Sequence, residues 1–151
     1  MKERRWPRNP KCSFCNEVES SRHLFFTCPV ARVVWRCIGV ALGTDLCPNS
    51  YWQYFSWCHI FLPAGGKYYT VGPAPICWAI WLAQNRATFE KKQIKTPFEI
   101  IFSVCSFLLY WAGLQQGEGV KELRSGAEMV RSSTMRLMKM CETVRRPIEG
   151  E

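Results

Sequence analysis

Aspartate and histidine are scarce in this chain of 151 residues, which has one aspartate, Asp45, and two histidines, His23 and His59. The paired aspartates with which polymerases hold Mg²⁺ are therefore missing, and polymerase chemistry is excluded by content. A cysteine–histidine nucleophile would need one of the two histidines, and neither an oxyanion hole nor a phosphate-binding loop accompanies them. We therefore expect no enzyme activity.

Long apolar runs are also lacking, since no stretch reaches the roughly 18 residues that a membrane span requires. The longest, over residues 100–113, is broken by Ser103 and Ser106 and favours a buried helix over a membrane-embedded segment. The N-terminus has no apolar core of a secretory signal. We therefore expect an intracellular chain, nuclear or cytoplasmic, in which nine cysteines stay reduced.

The chain does contain a compact set of metal-type ligands, Cys12, Cys15, His23 and Cys28, with the spacing C-x2-C-x7-H-x4-C. Two thiols separated by two residues can bind a metal from one tight turn, and the His and third Cys can fold back to complete a tetrahedron. Three thiolates and one imidazole suit Zn²⁺, and four protein ligands leave no position for a catalytic water. The alternative is a chance arrangement among nine cysteines. We predict one structural zinc ion.

A second metal site can be imagined from Cys47, Cys58 and His59. Adjacent residues are rarely well placed to bind one ion together, so an ordinary loop histidine and a small buried thiol are the favoured interpretation.

Positive charge is in excess, with 20 basic and 12 acidic residues and a formal charge of +8. Such a balance favours polyanionic partners, RNA or DNA, although solvated faces of a moderately basic protein would give the same total. Bases could stack on Phe14, Phe25 or Phe26, but these rings more often cover the metal and plug into the next helix. The candidates for phosphate contacts are the basic residues flanking the motif, Arg4, Arg5, Arg8 and Lys11.

Helical spacing of apolar residues predicts a mainly α fold with little strand alternation. A small zinc-stapled N-terminal loop is followed by about four helices, and the proline- and glycine-rich middle, residues 43–73, is irregular with room for a short helix at 51–61. The predicted helices run from Pro29 to Gly43, from Pro75 to about Lys92, from near Thr96 to 113–119, and from about 119 to 143. We divide the chain into a zinc-binding domain with helical extension, 1–115, and an amphipathic helix and tail, 116–151.

The predicted core follows from the apolar faces. Residues 76–83 are apolar without interruption, so we expect their helix to be enclosed on all sides, with Trp78 and Trp81 inside. The helical cysteines expected in the core are Cys37, Cys77, Cys105 and Cys141. The final helix has a seam from Val120 to Cys141 with alternating steps of three and four; packing on the chain's own helices is favoured over self-association.

These motifs resemble one family. The stretch NPKCSFCNEVESSRHLFFTCPVARVVW, residues 9–35, is similar to the zinc-binding region at the C-terminal end of reverse transcriptases of plant LINE-type (non-LTR) retrotransposons. Residues 76–114 resemble the same family, except that Gln84 stands where the family usually has Arg. The resemblance implies a free-standing fragment: a zinc-stabilised, nucleic-acid-associated module with the four ligands above, lacking the polymerase and endonuclease of its parents.

Two classes of function are consistent with the sequence. In the first, the chain is a non-catalytic zinc module that binds RNA or DNA through basic residues around the loop. In the second, it is an exapted plant interaction factor that acts on a protein partner or a membrane through apolar helices, at residues 98–111 or 120–141. The sequence leaves the oligomeric state open.

Overall fold

The computed structural model describes residues 11–44, 47–61, 73–114, 117 and 119–145. In this part of the chain a small loop and a π-helical turn precede five α-helices, and the β pairing is one isolated antiparallel bridge between Lys11 and Val18. The mainly α architecture with a metal-type N-terminal loop agrees with the prediction. The predicted contacts Arg4, Arg5 and Arg8, and the middle segment 62–72, lie outside the described residues.

The helices begin and end close to the predicted boundaries. The third helix starts at Pro73, two residues before the predicted Pro75, and ends three residues earlier than predicted. The backbone of Lys91 is left-handed, with φ 57°, and the N–H of Lys92 bonds back to the carbonyl of Arg86 at 3.1 Å, so the chain leaves the helical path there. The helices are α1 Pro29–Ala41, α2 Tyr51–Phe61, α3 Pro73–Phe89, α4 Phe98–Leu114 and α5 Gly119–Arg145.

The N-terminus of α4 is capped by the carboxylate of Glu99, a residue of its own first turn. Glu99 accepts a hydrogen bond from the backbone N–H of Lys95 at 3.2 Å. A carboxylate at this end of a helix also complements the positive end of the helix dipole. The helix therefore begins close to Thr96, where the sequence predicts it.

A single core joins the N-terminal loop to the helices. The most extensive contact is between α4 and α5; α1 packs against both, and α3 packs against α4 and the π-helical turn. The largest fully buried side chains include Trp35, Phe26, Ile80, Ile100 and Ile101. The metal-type loop thus belongs to the same hydrophobic cluster as the helices.

The seam of α5 packs within the chain. Ala127, Val130 and Thr134 are buried, and the Thr134 hydroxyl donates to the Val130 carbonyl at 2.7 Å, so this polar group is satisfied inside the core. The seam therefore lies against α4 and α1, as the favoured interpretation predicts, and offers little surface for a coiled-coil partner.

Two predictions about the core are wrong. Trp78 is 49% exposed and Trp81 is 40% exposed, because α3 packs against α4 and the π-helical turn and its remaining face is left to solvent. Cys141 is also exposed, in the last turns of α5. Among the described residues no helix has the length and apolarity needed to cross a membrane.

The contrast between two cysteines gives a first testable prediction. Cys105 is 3% exposed and burial raises the pKa of its thiol to about 11, whereas Cys141 is exposed. The thiolate is the nucleophile, and a thiol of that pKa is ionised to about one part in a thousand at pH 8. We expect iodoacetamide to modify Cys141 at least about tenfold faster than Cys105 in the native protein, as measured by peptide mass spectrometry. Denatured protein, in which the two rates converge, is the control; equal rates in the native protein would contradict the burial of Cys105.

Candidate metal centre

The first pair of ligands lies on a tight turn closed by backbone hydrogen bonds. The N–H of Cys12 donates to the carbonyl of Glu17 at 2.8 Å, and the N–H of Asn16 donates to the carbonyl of Cys12 at 3.0 Å. Asn16 has φ 60°, a left-handed conformation that asparagine adopts more readily than most residues. The turn thereby brings Cys12 and Cys15 to one site across a two-residue gap.

The second pair is joined by a π-helical turn, His23–Thr27. The N–H of Cys28 donates to the carbonyl of His23 at 2.8 Å, so one hydrogen bond ties the backbones of the third and fourth ligands. Leu24 and Phe26 are buried and anchor the turn, as expected if the ring of Phe26 packs against the following helix. The sequence predicts only a loop here, because no sequence pattern distinguishes a π-helical turn from a loop that contains a few apolar residues.

The four ligand atoms lie within 4.8 Å of one another. The Sγ atoms of Cys12 and Cys28 are 3.8 Å apart, those of Cys15 and Cys28 are 4.0 Å apart, and Sγ of Cys15 is 3.1 Å from Nε2 of His23. Ideal Zn–S and Zn–N lengths in a tetrahedron place two sulfurs about 3.8 Å apart and sulfur and nitrogen about 3.5 Å apart. The separations exceed the roughly 2.05 Å of a disulfide. The donor set therefore fits one four-coordinate zinc ion, as the spacing predicts.

Each of two ligands has a partner outside the cluster. Burial raises the pKa of the Cys28 thiol to about 12, and the backbone N–H groups of Val30 and Ala31 act against that rise. These groups are free to face the sulfur because Cys28 precedes the first turn of α1, where Pro29 has no N–H. Nδ1 of His23 lies 3.4 Å from the hydroxyl of Thr27, which leaves Nε2 for the metal.

The loop also has polar contacts with α3, far along the sequence. The side-chain nitrogen of Gln84 lies 3.6 Å from Sγ of Cys12 and 3.1 Å from a carboxylate oxygen of Glu19. One helical turn later, the hydroxyls of Ser13 and Thr88 are 2.6 Å apart. These contacts were not predicted from the sequence. The one signal for them was that Gln84, an amide, directly follows eight apolar residues on the same helix.

The other sequence-based candidates are not part of this centre. Cys58 is buried and the neighbouring His59 is exposed, and the four-residue cluster is the one metal-type group found in the described part of the chain. Phe26 is 2% exposed, which excludes it from base stacking in the folded protein. Lys11, the described member of the predicted phosphate contacts, is exposed beside the first ligand.

Fold and site together define a helical protein with a closed, structural zinc-binding centre at its N-terminus. Residues 1–35 match the family described as zinc-binding in reverse transcriptase, a segment that includes all four ligands and ends at Trp35. The N-terminal region is thus similar to the zinc-binding regions of reverse transcriptases, which agrees with the resemblance of residues 9–35. No curated protein and no solved structure matches the chain.

Proposed function

We propose that this chain is a non-catalytic zinc module, derived from the reverse transcriptase of a plant retrotransposon, that binds RNA or DNA through basic residues around the metal centre. The observation that carries the proposal is the assembled cluster of Cys12, Cys15, His23 and Cys28 within the matched family segment. The resemblance of residues 9–35 and 76–114 supports the retrotransposon origin. Reduced thiol ligands fit a nuclear or cytoplasmic location.

A structural role for the centre follows from its ligand count. Catalytic zinc sites keep one position open for water or substrate, whereas here four side chains from one short segment converge on one point. The bound metal would therefore stabilise the conformation of the loop, and the residues that flank the ligands would contact the partner. In the sequence, the charged residues that flank the ligands are mostly basic.

The positive charge of the chain is concentrated in the N-terminal part of the sequence, which contains the four ligands. Residues 1–36 contain eight basic and three acidic residues, a surplus of five out of the total of +8. Zinc with three thiolates subtracts only about one unit from that surplus. Arg32 and Arg36 are exposed and four residues apart on α1, so they lie on one helix face directly after the last ligand. A cationic surface of this kind favours a phosphate backbone as ligand.

Replacement of Arg4, Arg5, Arg8 and Lys11 by Ala tests this proposal. Removal of one phosphate contact should lower the slope of log K against log salt by about 0.7 for a single strand, so removal of four should flatten it by about 3. Fluorescence anisotropy with labelled RNA and DNA oligonucleotides across a salt series measures both affinity and slope.

The matched control removes the same charge from exposed positions of α5, through alanine at Lys121, Arg124, Arg136 and Lys139. We expect that control to retain most of the slope of the original protein. If both sets of replacements flatten the slope equally, binding depends on net charge alone and the basic residues at the loop have no special role.

A protein-interaction role is the second candidate, and exposed apolar side chains favour it. Trp52 is 81% exposed on α2, and Tyr110 is 64% exposed on α4 within the predicted segment 98–111. In the other predicted segment, 120–141, the seam packs internally at Ala127, Val130 and Thr134. A zinc-loaded protein without affinity for either RNA or DNA at low salt would favour this role over the first.

A further inference from the structure

Gln84 is a buried polar side chain that points at the metal centre from another part of the fold. It lies on α3, is 3% exposed, and follows a run of apolar residues. A buried amide without hydrogen bonds destabilises a fold by a few kcal/mol, so its partners must account for its position.

The partners of Gln84 identify which way its amide faces. Its nitrogen lies 3.1 Å from a carboxylate oxygen of Glu19, and an ionised carboxylate can only accept, so the nitrogen rather than the oxygen must be on that side. The same nitrogen lies 3.6 Å from Sγ of Cys12. The two N–H groups of the amide are thus directed to two acceptors, a carboxylate and a sulfur.

The sulfur of Cys12 becomes an anion when a metal binds. Sγ of Cys12 also lies 4.0 Å from the side-chain oxygen of Gln84. A thiolate ligand has no proton to donate to that oxygen, so only the contact from the amide N–H to the sulfur remains a hydrogen bond. Cys12 is 0% exposed, which denies water access to that lone pair. A protein donor must therefore supply the hydrogen bond that a solvent-exposed thiolate would take from water.

We propose that Gln84 is a positioning residue of the zinc centre: its amide, oriented by Glu19, donates to the Cys12 thiolate and increases the affinity of the centre for zinc. Hydrogen bonds from outside the ligand sphere orient ligands and moderate their charge, and removing them typically costs about 10–100-fold in metal affinity. Gln84 lies well beyond the matched residues 1–35, so the four-ligand centre receives a supporting hydrogen bond from the helical part of the chain.

The decisive variant is Gln84→Leu, which removes the donor and replaces it with an apolar side chain of similar size. Zinc affinity, measured by competition with a chromogenic chelator, should fall about 10–100-fold. In the cobalt-substituted protein, the charge-transfer band from thiolate to Co²⁺ should move to lower energy, because a thiolate without the hydrogen bond gives up its electron more easily.

Thr88→Val is the matched control, since it removes the 2.6 Å contact between the same helix and Ser13 without touching a ligand. We expect Thr88→Val to leave the charge-transfer band in place and to change zinc affinity less than Gln84→Leu does. An unchanged band in Gln84→Leu, or equal decreases in affinity in the two variants, would overturn the proposal and leave Gln84 with a packing role.

Glu19→Ala keeps the proposal testable if Gln84→Leu fails to fold. Glu19 is only partly buried, so its truncation is better tolerated, and it removes the acceptor that orients the amide. We expect a smaller band shift in the same direction. A folded Glu19→Ala protein with the band and affinity of the original chain would contradict the orienting role of Glu19 and with it the proposal.

Discussion

Removal of zinc by a strong chelator is expected to unfold at least residues 9–35. Structural zinc contributes about 10–16 kcal/mol of apparent binding free energy, comparable with the total stability of about 5–15 kcal/mol of a domain of this kind. In the described part of this segment, the loop is held without the metal by one β bridge, its short turns, the buried Leu24 and Phe26, the contacts of Trp35, and a few polar contacts with α3. Those interactions are too few to replace four coordinate bonds.

Circular dichroism and melting curves with and without chelator measure this effect, together with metal content by mass spectrometry. The double variant Cys12→Ser, Cys15→Ser should contain no zinc and behave like the chelated protein. Cys141→Ser is the matched control, because Cys141 is an exposed cysteine outside the cluster, and it should keep one zinc ion and the original melting curve. An unchanged spectrum and an unchanged melting temperature in the presence of chelator would contradict the prediction.

The second large effect is expected at Trp35, the side chain through which the zinc loop joins the helices. Trp35 is 0% exposed, its ring stacks on Phe26 with centroids 5.6 Å apart, and its indole N–H donates to the carbonyl of Phe25 at 2.8 Å. Trp35→Ala would remove the stacking and the hydrogen bond and leave a cavity, at a cost of about 3–5 kcal/mol. For a chain of this length the melting temperature should fall by about 6–20 °C.

Chemical denaturation of the zinc-loaded protein measures that destabilisation. Trp52→Ala makes the same chemical change at a position that is 81% exposed, and should change the free energy of unfolding by no more than about 0.5 kcal/mol. Equal destabilisation by the two substitutions would mean that Trp35 does not connect the loop to the core.

The metal centre shows how far short-range sequence signals reach. The four ligands could be identified from spacing because two close pairs of ligands need only local turns to converge, and the turns are closed by hydrogen bonds between residues at most five apart. The helix boundaries were predictable for the same reason. Pro29 and the residues around Thr96 act on their own first turns, whereas the left-handed backbone at Lys91, where α3 ends earlier than predicted, had no such signal.

The exposure of individual side chains was not predictable in the same way. Trp78 and Trp81 lie in an apolar run that indicates full enclosure, yet both are partly exposed because neighbouring elements cover only part of α3. The opposite error concerns Gln84, a polar residue that becomes one of the most buried in the chain. Both outcomes depend on which elements pack against α3, and that information is not contained in α3.

The ligands, the metal they suit, the mainly helical class and the approximate ends of the helices were all readable from the order of the residues, because each depends on interactions within a few residues. Three features required the packed fold: the docking of the loop on α3, the packing of the α5 seam on α1 and α4, and the position of Gln84 beside the Cys12 sulfur. Cys12 and Gln84 are 72 residues apart in the sequence, and contacts between residues so far apart along the chain form only when the whole core packs.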